Sequence, residues 1–214
     1  MVEESISERV DYDSPPFGVD DADADPMLQW RRWYADAVAA DCVEPNAFAL
    51  STVDAAGHPQ SRNVLLRSAD DNELTFFTNY ESAKSIQLGD DPHVALLFSW
   101  LTLHRQVRIT GTVRRADDAD SDAYFASRPR GSQVGAWASP QSQVIADRAA
   151  LEERVAKFEA VFDGTADIPR PTYWGGWVVT PTEFEFWQGR PNRLHDRLRY
   201  RADGTRWQID RLAP

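Results

Sequence analysis

Cysteine is nearly absent. Cys42 is the only one in 214 residues, which excludes an internal disulfide and any thiolate metal cluster; at the end of a helical stretch it reads as a packing residue. Histidine is almost as scarce. His58, His93, His104 and His195 include no pair three or four residues apart, so no helix presents two imidazoles to a zinc ion. No apolar run approaches the roughly 18 residues that span a bilayer. Met1 to Asp13 is acidic where a secretory leader would be basic and then apolar, and a cytoplasmic protein away from membranes is expected. G-x-S-x-G, Walker and G-x-G-x-x-G patterns are missing too, and no paired carboxylates stand out.

What is present is a normal complement of core-forming residues, 42% hydrophobic, and a very uneven charge. Met1 to Pro26 carries nine acidic residues against Arg9, a net of −8, which leaves −3 of the total −11 for the rest. Residues 1–25 therefore read as a solvated, mobile acidic arm and 26–214 as one folded domain. The opposite bias lies between Arg190 and Arg211, where seven arginines face Asp196, Asp203 and Asp210, a net of +4. That is either a solvated surface or a seat for a small phosphorylated anion. Nucleic acid is disfavoured as a partner, because the whole chain repels it.

Met27 to Cys42 reads as a helix, with Met27, Trp30, Trp33, Tyr34 and Ala37 on one stripe. Strands follow at 47–53, 63–68 and 73–79, joined by the turns Asp54-Ala55-Ala56-Gly57 and Asp70-Asp71-Asn72. A short helix from Ser82 to Gly89 precedes strands at 93–100 and 103–115. Helices are expected at 117–126 and 144–162, and strands at 173–180, 183–188, 198–201 and 206–209. Successive hairpins without crossover helices, interrupted by helices, predict an α+β protein with a closed or nearly closed antiparallel barrel.

Three segments carry groups that bind anions and flat rings but are poor proton abstractors, so redox chemistry would have to come from a bound cofactor. The first, RNVLLR (62–67) followed by FFTNYESAK (76–84), places Arg62, Thr78, Ser82 and Lys84 as candidates around a phosphate, aided by the helix starting at Ser82. The second, SRPRGSQVGAWASPQS (127–142), holds two arginines, a tight Gly131-Ser132 turn and the pair Gln141-Ser142. In the third, EFWQGRPNRLHDR (185–197), Trp187 leaves a strand, and Arg193, His195 and Arg197 alternate beyond it.

Together with HRQV (104–107), YWGGW (173–177) and the terminal IDRLAP, these segments resemble the pyridoxamine 5'-phosphate oxidase family, in that family's order, from about Pro26 to Pro214. The resemblance implies an antiparallel FMN-binding split β-barrel with flanking helices, working as a homodimer with FMN at the subunit interface. It implies oxidation of pyridoxamine or pyridoxine 5'-phosphate to pyridoxal 5'-phosphate with O2 as acceptor. Arg62, Asn63, Val64, Leu65, Leu66, Arg67, Phe77, Thr78, Lys84, Gln106, Gln141, Ser142, Trp187 and Arg197 match FMN-contacting positions. Tyr124, Arg128 and Ser132 match those that hold the substrate phosphate, with Arg67 shared between the two ligands. Arg193, Leu194 and His195 match positions over the pyridine ring, Arg193 and His195 as the catalytic pair. Arg9 and Tyr12 fall on a looser amino-terminal substrate motif.

Two positions depart from the pattern. Arg67 stands where the family usually has lysine, and Ala83 where many members have arginine; Arg and Lys are not interchangeable at a crowded phosphate site. Two rival readings follow: a related flavin oxidase acting on a non-phosphorylated tricyclic such as a dihydrophenazine, and a flavin- or pyridoxal-phosphate-binding protein without turnover.

Overall fold

The computed structural model describes residues 11–70, 72–204 and 206–214. Arg9, the start of the acidic arm and Asp71 of the predicted turn lie outside the described residues. The elements are α1 (Pro26–Ala39), β1 (Ala47–Val53), β2 (Pro59–Leu65), β3 (Leu74–Asn79), α2 (Ala83–Asp90), β4 (His93–Trp100), β5 (Arg105–Arg115), α3 (Asp118–Ser127), α4 (Arg130–Ala138), α5 (Arg148–Val161), β6 (Trp174–Gln188), β7 (Asp196–Asp203) and β8 (Arg206–Arg211). The strands are hydrogen-bonded in the order β2-β1-β4-β5-β6-β7-β8, and β3 pairs with β6. β3–β6, β6–β7 and β7–β8 are antiparallel. The class is α+β, as expected.

β6 is one continuous strand where two were expected around Pro181. Its register with β3 runs from Trp174 to Val179, and its register with β7 from Glu183 to Gln188. Pro181 thus sits where the strand changes partner, and its missing N–H breaks neither ladder. α4 is a helix that the sequence reading missed. Gly131-Ser132 suggested a turn there, yet a Cβ at Gly131 or Gly135 would meet nothing within 4 Å. Burial of Val134 and Ala138 along one face offsets the low helix propensity of those glycines. α1 ends at Ala39 rather than Cys42, and Asp41 is left-handed at φ 50°.

The chain divides into two compact units: Met1–Ala49, Ala95–Thr110 and Pro181–Pro214 form one, Leu50–Val94 and Gly111–Thr180 the other. In the first, the aromatic stripe of α1 is core, as its spacing implied. Trp33 packs edge-on to Phe186 at 5.3 Å, and Phe186 in turn meets Tyr200 at 5.4 Å. The arm differs from expectation within residues 11–25. Phe17 is buried against Trp33 at 4.8 Å, its N–H donates to Asp196, and Tyr200 donates to the Asp23 carbonyl. Phe17 helps tie down this acidic segment: fully burying such a side chain contributes roughly 1.5–3 kcal/mol. In the second unit, Phe125, Val134, Phe162, Ile168 and Trp174 form the core, with Phe77 and Tyr124 packed against it. The YWGGW glycines are needed there. A Cβ on Gly175 would stand 2.3 Å from the Tyr80 hydroxyl, and one on Gly176 2.7 Å from the Ala116 methyl.

Candidate active site

The second unit contains a cavity of about 440 Å³. β2 and the chain just beyond it contribute Asn63, Val64, Leu65 and Arg67; β3 contributes Phe77 and Thr78. α2 adds Lys84, α3 adds Tyr124, and α4 with its flanks adds Arg128, Ser132 and Gln141. Most second-unit residues picked out from the sequence therefore face one space, although they come from segments up to 78 residues apart. Strict alternation does not hold: β2 ends at Leu65, so Arg67 reaches the cavity while Leu66 turns into the core at 6% exposure. Ser142 is exposed and left-handed at φ 71°.

The cations here have neutral partners. Arg62 donates to Thr52 Oγ1 at 2.6 Å, to the Leu50 carbonyl at 3.3 Å and to Gln87 Oε1 at 3.2 Å. Lys84 Nζ donates to Thr78 Oγ1 at 3.0 Å, Gln141 Oε1 at 3.0 Å and Ser82 Oγ at 3.3 Å. Burial, with the charge of Arg62 nearby, pulls the Lys84 ammonium down to about 8. Arg128 is likewise pulled down, by burial first and then by Arg67, against a raising effect from Tyr124. Its Nη1 is buried with no hydrogen-bond partner. Among the described residues, no carboxylate forms an ion pair with Arg62, Arg67, Lys84 or Arg128. Gathered like charges without a counter-ion are costly unless an anion binds, so this donor set suits a phosphate. Tyr124, Phe77 and Trp174 stack beside it, Phe77 lying 4.1 Å from Tyr124 and 5.7 Å from Trp174 at shallow interplanar angles.

In the first unit a different group assembles. Trp187 and His195 pack at 4.5 Å between ring centres, and Tyr12 lies 4.3 Å from His104 and 5.8 Å from His195. Gly189 permits this approach, because a Cβ there would sit 2.8 Å from the Tyr12 ring. His195 Nδ1 accepts the backbone N–H of Arg190 at 3.1 Å, so in the neutral ring the proton resides on Nε2. Burial, and then the Arg193 charge, lowers the pKa of His195, which keeps that neutral form. Asn192 and Arg193 are both left-handed, φ 56° and 61°, a conformation uncommon for residues other than glycine. Arg193 and Leu194 are exposed, and Gln106 is half-buried on β5.

Arg197, expected among the FMN contacts, is held by protein groups in the described structure. Its Nε and Nη2 grip Glu185 at 2.8 and 2.7 Å, and Nη1 donates to the Ala213 carbonyl. It offers no free fork to a phosphate. The arginine-rich tail behaves the same way: Arg190, Arg197, Arg199, Arg201 and Arg211, five of its seven arginines, are paired with Asp196, Glu185 or Asp210. Glu185, Thr52, Gln87 and Trp174 were not singled out from the sequence. Glu185 and Trp174 lay inside motifs already noted, but only the fold reveals their partners.

Fold and site together define an α+β split barrel with a cation-lined cavity beside stacked aromatic rings. Residues 35–162 match the family model for pyridoxamine 5'-phosphate oxidase, and residues 174–214 that for the pyridoxine 5'-phosphate oxidase C-terminal dimerisation region. The chain belongs to the pyridoxamine 5'-phosphate oxidase family. It is 54% identical over 195 residues to the pyridoxine/pyridoxamine 5'-phosphate oxidase of Cupriavidus taiwanensis, covering 91% of each chain. It is 50% identical to that of Salinibacter ruber, covering 96% of this chain and 97% of the relative. Among solved structures, PhzG from Burkholderia lata, in complex with tetrahydrophenazine-1-carboxylic acid, superimposes with a TM-score of 0.88. That match has 32% identity and covers 96% of this chain and 100% of that one. An FMN-binding, pyridoxamine 5'-phosphate oxidase-related protein from Nostoc punctiforme shares the fold at 20% identity and a TM-score of 0.68, covering 86% and 97%. Among the described residues no helix is long and apolar enough to cross a membrane.

Proposed function

We propose that this chain is an FMN-dependent oxidase that converts pyridoxamine and pyridoxine 5'-phosphate to pyridoxal 5'-phosphate, acting as a homodimer in the cytoplasm. Residues 26–214 act as one oxidase domain. The observation that carries the reading is the cavity whose cations, Arg67, Lys84 and Arg128, have no carboxylate partner among the described residues, with Arg62 close behind. These residues fit phosphate-bearing ligands: guanidinium and ammonium donors bind phosphate by charge-assisted hydrogen bonds worth about 1.5–3 kcal/mol each when shielded. Arg62, Lys84, Thr78 and Gln141, with Ser142 alongside, would hold the FMN phosphate. Asn63 to Leu66, Phe77, Gln106, Trp187 and Arg197 would flank the rest of the cofactor. Tyr124, Arg128, Ser132 and Arg67 would hold the substrate phosphate. FMN, when bound, supplies the two-electron acceptor whose electrons pass to O2 to give hydrogen peroxide.

The remaining roles belong to the chain. His195, fixed as the Nε2–H tautomer, donates a hydrogen bond to the substrate's amine or alcohol group, and burial, then the Arg193 charge, keeps its ring neutral. Tyr12 and Leu194 exclude water from that group, and Arg9, outside the described residues, belongs with Tyr12 to the amino-terminal substrate motif. Arg197, neutralised by Glu185, serves as a rigid contact rather than an anion clamp. The test is a turnover assay with both vitamin B6 phosphates that reads aldehyde and peroxide in equal amounts. Purified protein that stays colourless on FMN titration, or yields neither product, would overturn the reading. The PhzG likeness supports a dihydrophenazine-type substrate less well, at 32% identity against 54%, and Tyr124, Arg128 and Ser132 facing one cavity argue for a phosphorylated one.

A further inference from the structure

Arg128 has an unusual environment for a half-buried cation. Its guanidinium lies 4.5 Å from the centre of the Trp174 ring and 5.5 Å from that of Phe125. Buried Nη1 has no hydrogen-bond partner, and among the described residues no carboxylate forms an ion pair with the group. Aromatic faces are its described counterparts. The geometry points to Trp174 as the positioning residue of the phosphate site: its π face holds the Arg128 guanidinium in place and leaves the remaining donors for the substrate phosphate. This inference rests on the proposed oxidase reading and extends it to a residue outside the expected contacts.

Three observations support it. Trp174 is 6% exposed and its main chain is fixed: its backbone N–H donates to the Pro171 carbonyl, and its carbonyl accepts from Arg170. It stacks in register with Phe77 and Tyr124 and meets Phe125 edge-on, so the ring cannot swing away. Arg67 lies 5.9 Å above Tyr124 in the same stack, close enough to Arg128 for the two charges to oppose each other. A carboxylate would hold Arg128 equally firmly but would cancel the charge the phosphate needs. An aromatic face attracts a guanidinium without neutralising it, which preserves both position and charge.

The test uses FMN-loaded protein and compares binding of pyridoxal 5'-phosphate with binding of pyridoxal, which lacks the phosphate. Trp174→Met keeps apolar bulk and removes the π face; Trp174→Phe keeps a smaller face. Trp174→Met should weaken pyridoxal 5'-phosphate binding roughly tenfold, leave pyridoxal binding within about twofold, and leave FMN affinity unchanged. Trp174→Phe should recover most of the loss, and Arg128→Met should abolish the difference that Trp174→Met makes. Equal weakening of both ligands by Trp174→Met and Trp174→Phe, with a matching fall in thermal stability, would show a purely structural role and overturn the inference. So would undiminished preference for the phosphorylated ligand in Trp174→Met. Should Trp174→Met not fold, Trp174→Leu takes its place: a loss confined to the phosphorylated ligand supports the inference, and none overturns it. A wild-type protein that does not distinguish the two ligands would instead overturn the oxidase reading itself.

Discussion

The paired arginines of the first unit and the cavity cations of the second are held in opposite ways, although Arg114, Arg148 and Arg170 elsewhere in the second unit are ion-paired too. In the first, Arg197 is locked to Glu185 through two nitrogens, Arg108 reaches the same carboxylate at 2.9 Å, and Arg190 and Arg211 share Asp196. In the second, Arg62 and Lys84 are held by threonine, serine and glutamine side chains, and Arg128 by aromatic rings. A paired arginine is a structural fastener whose charge is spent inside the protein. An arginine held by neutral groups keeps its charge available, at a cost to the free protein that an anionic ligand relieves. The difference locates binding function better than arginine density does, since the densest run, Arg190 to Arg211, is mostly fasteners.

The comparison is tested most severely at Arg62. Arg62→Met should weaken FMN binding on the order of 10- to 100-fold, from the loss of one or two charge-assisted bonds. It should leave the melting temperature of the FMN-free protein unchanged or higher. Flavin fluorescence titration and thermal melts read the two effects, and a destabilised FMN-free protein would erase the distinction between the units. Glu185→Ala should do the reverse. It leaves Arg197 without its carboxylate and Arg108 with Glu183 alone, and partial exposure discounts the cost to about 2 kcal/mol. For a chain of this size that is roughly 4–8 °C in Tm, visible with or without FMN.

A smaller effect distinguishes the units by pH. Lys84, at about 8 in the folded chain against 10.5 when unfolded, is protonated in both states below about pH 8. Between about 8 and 10.5 only the unfolded chain keeps the proton, so the stability of the FMN-free protein should rise with pH there. FMN affinity should fall over the same range, because the phosphate needs the charge. Lys84→Arg should flatten both slopes; titrations at pH 7 to 10 check this. The smallest effect concerns Arg67, exposed and without an ion pair among the described residues. A guanidinium rests farther from its strand than an ammonium, and small misplacement of the reacting carbon slows chemistry steeply. Arg67→Lys should raise kcat/KM several-fold while FMN affinity stays within a few-fold. Unchanged steady-state kinetics with both vitamin B6 phosphates would place Arg67 outside the site.

Strands at 47–53 and 93–100 were legible because burial alternates along them with period two, and α1 because its tryptophans recur at helical spacing. The cavity residues were legible by type and order: phosphate sites need arginine, lysine and hydroxyls, and local segments such as RNVLLR and SRPRGS carry them. Pairing was not legible. That Arg197 pairs with Glu185 depends on the register of β6 with β7, which sets Trp187 opposite Arg197 and brings Glu185 within 2.7 Å of the guanidinium. That Phe17 anchors the acidic segment, that α4 forms across two glycines, and that Trp174 lies against Arg128 were likewise decided by packing. Residue type and spacing dictate which groups are available and which face of an element they occupy. Their charge state and partners depend on contacts between segments far apart in the chain, which only the folded structure brings together.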